Sequence, residues 1–250
     1  MTGRRVMAAL FACAALAGCA TTSGTRDNEN NDPLEPMNRV VFNANDAIDT
    51  AILRPVAEGY RSVVPPFFRD RIRAFIDNLQ EPRIFVNNVL QLRINDAGFT
   101  FARFYVNSTL GLAGLFDIAS EHGLPRQTGD FGQTLAVWGV DSGPYLVLPL
   151  FGPSNFRDAF GFTVDLYTTP PAHLIAGSTG TWITVGTYVV SGIDLRSRNI
   201  ETIDQIKEHA LDYYAQFRSI ARQYRDGQLR AARGLAETPD DLVDPGAPAD

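Results

Sequence analysis

Little in this sequence is arranged for bond-making chemistry. His122, His173 and His209 stand far apart, without the clustered spacing that a tetrahedral metal site needs. No Gly-x-Ser-x-Gly elbow occurs, so the usual strained seat for a hydrolytic serine is missing. Nor is there a glycine-rich phosphate loop. Asp130-Phe131-Gly132 matches a kinase triplet, but nothing else of that set is present. Arg157-Asp158 sets a cation beside a carboxylate, which suits a catalytic pair or, more simply, an ion pair at the start of a helix. A formal charge of −6 argues against nucleic acid as a partner. No cofactor is expected.

One side chain is placed for modification. Residues 1–18 have the plan of a secretory signal: Arg4 and Arg5, a short apolar run from Val6 to Leu16, then small residues. The run is too short to span a bilayer. It ends in Leu16-Ala17-Gly18-Cys19, which resembles the bacterial lipobox, where the Cys thiol is acylated and becomes the new N-terminus. The other cysteine, Cys13, falls in the part removed, so Cys19 is read as an anchor. Acyl chains give durable attachment at about 0.8 kcal/mol per buried methylene. Ala20, where an Asp is absent, points by resemblance to Gram-negative lipoproteins to the outer membrane. Residues 19–31 are small, polar and charged and read as a lipidated flexible tether. Losing Arg4 and Arg5 leaves the chain at −8, so membrane contact must be apolar rather than electrostatic.

The elements behind these residues read as helices. Asn95 to Ala119 is the most apolar stretch, with Asn95 a candidate N-cap. As a helix, Phe99 to Ala119 would run roughly 31 Å. Its nine Leu, Ile, Val and Phe residues favour insertion by about 3–5 kcal/mol, but Arg103 and Asp117 oppose it by up to about 3 kcal/mol each. A crossing is therefore not expected. The open readings are a buried core helix and a helix with protein on one side and acyl chains on the other.

Upstream, Met37, Val40, Val41, Ala44, Ile48, Ala51 and Ile52 mark one helical face, to be ended or kinked at Arg54-Pro55. Pro65-Pro66 and Glu81-Pro82 divide the next stretch into two further helices. Six Gly or Pro residues between Gly139 and Pro153 preclude a long helix there. That segment is a buried loop or single strand, or an apolar loop that walls a passage. Ser154 is a candidate cap for the next helix, and Pro170-Pro171 stops it. His173 to Val190, rich in Thr and Gly, reads as a weaker helix or, by propensity alone, as strand, and Ile203 to Tyr224 is the clearest amphipathic helix. From Ala236 the composition predicts an acidic, disordered tail, residues 236–250.

Several segments now form an ordered series: Asp32-Pro33-Leu34-Glu35-Pro36-Met37-Asn38-Arg39, Leu53-Arg54-Pro55-Val56-Ala57, Asn78-Leu79-Gln80-Glu81-Pro82 and Arg103-Phe104-Tyr105-Val106-Asn107-Ser108-Thr109-Leu110-Gly111. Asp130-Phe131-Gly132-Gln133-Thr134-Leu135, Trp138-Gly139 and Gly143-Pro144-Tyr145-Leu146-Val147-Leu148-Pro149-Leu150-Phe151-Gly152-Pro153-Ser154 continue it. The series resembles the MlaA (VacJ) lipoprotein family over Asp32 to Gly192. One departure is Leu92, where the resemblance leads us to expect Gly.

The resemblance implies an all-α fold: a ring-like assembly of short amphipathic helices with proline joints and one irregular Gly/Pro-rich loop region. Residues 32–226 would form a single domain. It implies a lipid-anchored protein at the periplasmic face of the outer membrane. Such a protein takes phospholipids that have strayed into the outer leaflet and passes them through an amphipathic channel to a soluble periplasmic carrier. Outer-membrane porin trimers are the further partners implied. Asn87, Asn88, Gln91, Arg103, Asn107, Gln133, Arg157 and Asp158 are candidates to line the channel. Two other readings stay open: a lipoprotein that only scaffolds an envelope complex, and a phospholipid-hydrolysing enzyme.

Overall fold

The structure, a computed structural model, describes residues 31–168 and 178–235. The signal peptide, Cys19, the tether, Pro170-Pro171, His173 and the tail from Ala236 lie outside the described residues. A compact unit begins at Pro33. Within it run α1 (Glu35–Ile48), a π-helical turn (Asp49–Leu53), α2 (Arg54–Val63), α3 (Pro66–Leu90), α4 (Ile94–Thr109), α5 (Ile118–Glu121) and α6 (Phe131–Val137). A hairpin of β1 (Tyr145–Leu148) and β2 (Gly152–Asn155) follows, then α7 (Phe156–Thr168), α8 (Ser178–Arg198), α9 (Ile200–His209) and α10 (Tyr213–Ala232). The all-α class holds.

Prolines open α1 and α3, where a missing N–H costs nothing. Arg54-Pro55 does not end the helical path: the π turn absorbs the misfit and α2 continues from it. Nor does Glu81-Pro82 divide α3, which runs through Pro82. The lost bond to the preceding turn is outweighed by packing on α4, the principal partner of α3.

Four further expectations are corrected. The helix read from Phe99 to Ala119 stops at Thr109, because Leu112, Ala113 and Gly114 are left-handed at φ 51°, 59° and 92°. The Gly114 N–H closes that turn on the Asn107 carbonyl at 2.8 Å. The helix also starts two residues earlier than expected: Arg93, not Asn95, is the N-cap, with no side-chain cap. The Gly/Pro-rich segment contains an antiparallel hairpin, Tyr145 opposite Asn155. Ser154 lies in that hairpin, and Asn155 caps α7 by accepting the Asp158 N–H at 2.9 Å. The long C-terminal amphipathic helix is two helices, because Asp212 leaves the helical conformation and caps α10 through the Ala215 N–H at 3.1 Å.

The outer edge of β1 is closed by side chains rather than by a third strand. Asn38 on α1 donates to the Tyr145 carbonyl and accepts the Val147 N–H. Two turns on, Asn45 donates to the Leu148 carbonyl and accepts the Leu150 N–H. Each amide mimics a peptide group, so a helix takes the place of a strand partner. Phe42, Tyr145, Val147 and Tyr214 form a small core where α1, β1 and α10 meet.

Helix contacts close a circuit: α3 touches α6, α6 touches α7, α7 touches β1, β1 touches α1, α1 leads through the π turn to α2, α2 touches α8, and α8 returns to α3. The α6–α7 crossing is close, since a Cβ on Gly161 would lie 2.3 Å from the Gly132 nitrogen.

Side chains are distributed against the usual rule for soluble proteins. Phe67, Phe68, Phe101, Tyr105, Leu110, Leu112, Leu150 and Trp182 are exposed, whereas Arg103, Glu81, Asn88, Gln133, Thr134 and Asp165 are buried. No helix among the described residues is long and apolar enough to cross a membrane.

Leu92, in place of the expected glycine, sits between α3 and α4 at φ 60° with its side chain 83% exposed. A left-handed residue with a Cβ costs about 1–2 kcal/mol, of which Gly returns part to unfolded-chain entropy. Leu92→Gly is therefore expected to raise the unfolding free energy by about 0.5–1 kcal/mol, read by denaturant unfolding in detergent.

Candidate functional site

Buried polar side chains clasp the helices to one another. The largest clasp centres on Arg103 of α4, 2% exposed. Its Nε donates to Glu81 on α3 at 3.1 Å, its Nη2 to both Asp117 oxygens at 3.0 Å, and its Nη1 to Ser120 and the Leu124 carbonyl. Asn107 lies one turn on, donating to Asp117 and accepting the Ala119 N–H. Burial pushes Asp117 up, but hydrogen bonds from Ser120, Asn107 and Arg103 outweigh it and bring the carboxyl down to about 2. Burial raises Glu81, and Arg103 reverses that only in part.

A second clasp joins α3, α6 and α7. Gln91 donates to Thr134, Thr134 donates to Asn87, and Asn87 donates to Asp165. Asp165 also accepts the Phe131 N–H at 2.9 Å. Beside it, Asn88 donates to Thr100 of α4. A third clasp joins α6, α7 and α10: Arg225 bridges Asp130 and Asp158, and Arg157 donates to Asp158 at 3.0 Å. Burial would raise Asp158, but Arg225 and Arg157 hold it below the usual carboxylate range. Elsewhere Arg73 grips Asp194 at 3.0 Å and Arg196 grips Asp49 at 2.7 Å.

The structure thus distributes the eight residues singled out by sequence. Arg103 and Asn107 share the first clasp, Asn87, Gln91 and Asn88 belong to the second and its border, and Arg157 and Asp158 to the third. Gln133 is buried on α6. The Oε1 atoms of Gln91 and Gln133 and the Nη2 of Arg157 are buried with no hydrogen-bond partner among the described residues. Arg157-Asp158 takes ion-pair geometry at the first turn of α7.

A cleft of about 370 Å³, its open mouth included, lies between α3 and α8, lined by Leu79, Gln80 and Arg83 on one side and Thr184, Thr187, Tyr188 and Ser191 on the other. Sequence reasoning missed these residues. The signal was present: hydroxyl groups at 184, 187, 188 and 191 follow the i, i+3, i+4, i+7 spacing of one helical face. Thr-rich composition blurred it by favouring strand.

Large apolar side chains on the exterior and polar ones within mark a protein whose surface is built to meet a membrane or a partner rather than water alone. The profile of the MlaA lipoprotein family matches residues 30–228, and the chain belongs to that family. It is 33% identical to the intermembrane phospholipid transport system lipoprotein MlaA of Haemophilus influenzae over 250 residues, which cover 98% of this chain and 97% of the relative. With the protein of the same name in Escherichia coli K12 it shares 34% identity over 227 residues, 89% of this chain and 87% of the other. An uncharacterized protein of Rickettsia felis is 36% identical over 199 residues, 80% and 78% of the two chains. A solved structure, from work on the structural basis for maintenance of bacterial outer membrane lipid asymmetry, superposes with a TM-score of 0.71 at 34% identity, covering 79% of this chain and 98% of that one.

Asp117→Asn removes one of the two carboxylate charges that Arg103 faces and is expected to destabilise the fold at pH 7 by about 1–3 kcal/mol. Because the folded-state carboxyl is depressed, its contribution is present above the unfolded value near 4 and is lost as pH falls toward about 2. Unfolding curves of variant and parent should therefore converge across that window.

Proposed function

We propose that this chain is an outer-membrane lipoprotein, anchored through Cys19 at the periplasmic face, that carries phospholipid. It takes mislocalised phospholipids from the outer leaflet and passes them through an amphipathic channel to a soluble periplasmic carrier, working beside porin trimers. Residues 1–18 are its signal, 19–31 its lipidated tether, 32–226 its single domain and 236–250 its tail. The observation that carries this reading is the inverted surface: apolar side chains such as Leu112 (63% exposed) outside and Arg103 (2%) inside. An exterior of that kind suits acyl chains.

The transport names of the Haemophilus and Escherichia relatives support the reading. So does the closed circuit of helix contacts, which is what a ring around a passage requires. The role is movement without bond chemistry. Among the eight candidate residues, Gln91, Gln133 and Arg157 have polar atoms left over by the clasps, and these are the ones we place toward the lipid's route.

The test is reconstitution. Lipidated protein in proteoliposomes, given a periplasmic carrier, is expected to move labelled phospholipid to the carrier without releasing fatty acid. Release of fatty acid would mean a hydrolase, and no transfer would leave a scaffold. Gln133→Leu should slow transfer while leaving stability unchanged or higher, because it removes a buried unpaired carbonyl worth about 1–3 kcal/mol. An equal transfer rate would take Gln133 off the route.

A further inference from the structure

The cleft between α3 and α8 contains an arginine that no clasp holds firmly. Arg83 Nη1 lies 3.3 Å from Asp165 Oδ2, and its Nη2 donates to Gln80 at 3.3 Å. By contrast, Arg225 makes contacts of 2.7–2.9 Å to two carboxylates, and Arg103 is enclosed on every donor edge. Asp165 does not rest on Arg83 alone, since it also has the Phe131 N–H and the Asn87 amide. Arg83 therefore has fork donors to spare, and its side chain keeps 17% exposure on the cleft.

The facing wall supplies the Ser191 hydroxyl beside Tyr188, whereas the Thr187 hydroxyl is donated to the Ile183 carbonyl at 2.8 Å. Leu79 makes an apolar floor. Around the cleft, the same two helices expose Phe75 and Val86 on α3 and Trp182, Ile183 and Val189 on α8. A planar cation and a hydroxyl within, and large apolar groups without, suit a ligand with an anionic oxyacid head and hydrocarbon tails.

We infer that this cleft is a head-group station for glycerophospholipids, in which Arg83 binds the phosphodiester oxygens and Ser191 donates to an oxygen beside them. The inference rests on the phospholipid-transport reading and adds a recognition residue to it. Inorganic phosphate offers the same oxygens without tails, so the two sources are separable.

The experiment measures binding to the purified full chain in detergent, using phosphatidylglycerol, diacylglycerol and inorganic phosphate as probes. Arg83→Gln is expected to weaken phosphatidylglycerol about tenfold, the scale of one charge-assisted hydrogen bond, and to leave diacylglycerol unchanged. Arg83→Lys, which keeps the charge but not the fork, should fall between. The pair Arg83→Gln with Asp165→Asn removes both charges, so it separates lost recognition from a stranded buried carboxylate, and it should match Arg83→Gln. Unchanged phosphatidylglycerol binding in these variants, with the parent protein still binding and transferring lipid, would overturn the head-group station alone. Equal loss of diacylglycerol would reduce Arg83 to a packing role. Inorganic phosphate competing at the lipid's own affinity would make the cleft a free-anion site. A parent protein that binds no phospholipid would overturn the transport reading and this one with it.

Discussion

Everything in this fold depends on how helices that expose large apolar side chains are held together. In water, an exposed Phe67 or Leu112 would be driven inward by about 25 cal/mol per Å². Against acyl chains that drive vanishes, because lipid is as apolar as leucine, and cohesion must come from close packing and interhelical hydrogen bonds. The structure uses both. The backbones of α6 and α7 meet at Gly132 and Gly161. The joints of the contact circuit carry polar clasps: Asn38 and Asn45 on β1, Asp49 with Arg196, Arg73 with Asp194, and Thr134 between Asn87 and Gln91.

Such clasps are cohesive only when nearly complete. An ion pair removed from water loses solvation that its mutual attraction recovers only with further hydrogen bonds. Arg103 meets that condition with Glu81, Asp117, Ser120 and the Leu124 carbonyl around one guanidinium. Arg225 meets it with Asp130 and Asp158. The depressed Asp117 and Asp158 carboxyls are the electrostatic mark of that completeness, and the raised Glu81, whose Oε2 has no hydrogen-bond partner among the described residues, marks where it falls short.

The helical class and the starts of α1 and α3 at prolines were legible because local rules decide them. Proline fixes its own φ. What was hidden was settled by contacts distant in sequence. Pro82 lies within a helix because α4 packs across it. The β1–β2 hairpin exists because Asn38 and Asn45, more than a hundred residues away, complete its edge. The break at Asp212 was masked by apolar periodicity that runs on through it, while Arg39 of α1 draws the Asp212 carboxylate into an ion pair. The cleft stayed hidden because its two walls, around Arg83 and Thr187, are a hundred residues apart.

A route for an amphiphile makes opposite demands on the same residue types. Polar groups that hold the frame must be spent on one another, or the frame loosens in hydrocarbon. Polar groups that receive a travelling head group must be left partly unspent, or there is nothing to bind it. Both kinds occur within α3. Glu81, at 1% exposure, faces Arg103 in a closed clasp, while Arg83, two residues on, keeps long contacts and an open side. Helical geometry makes the division possible, since positions two apart point to different sides of the cylinder. One face of α3 therefore binds α4 into the wall, and another can meet cargo without weakening it.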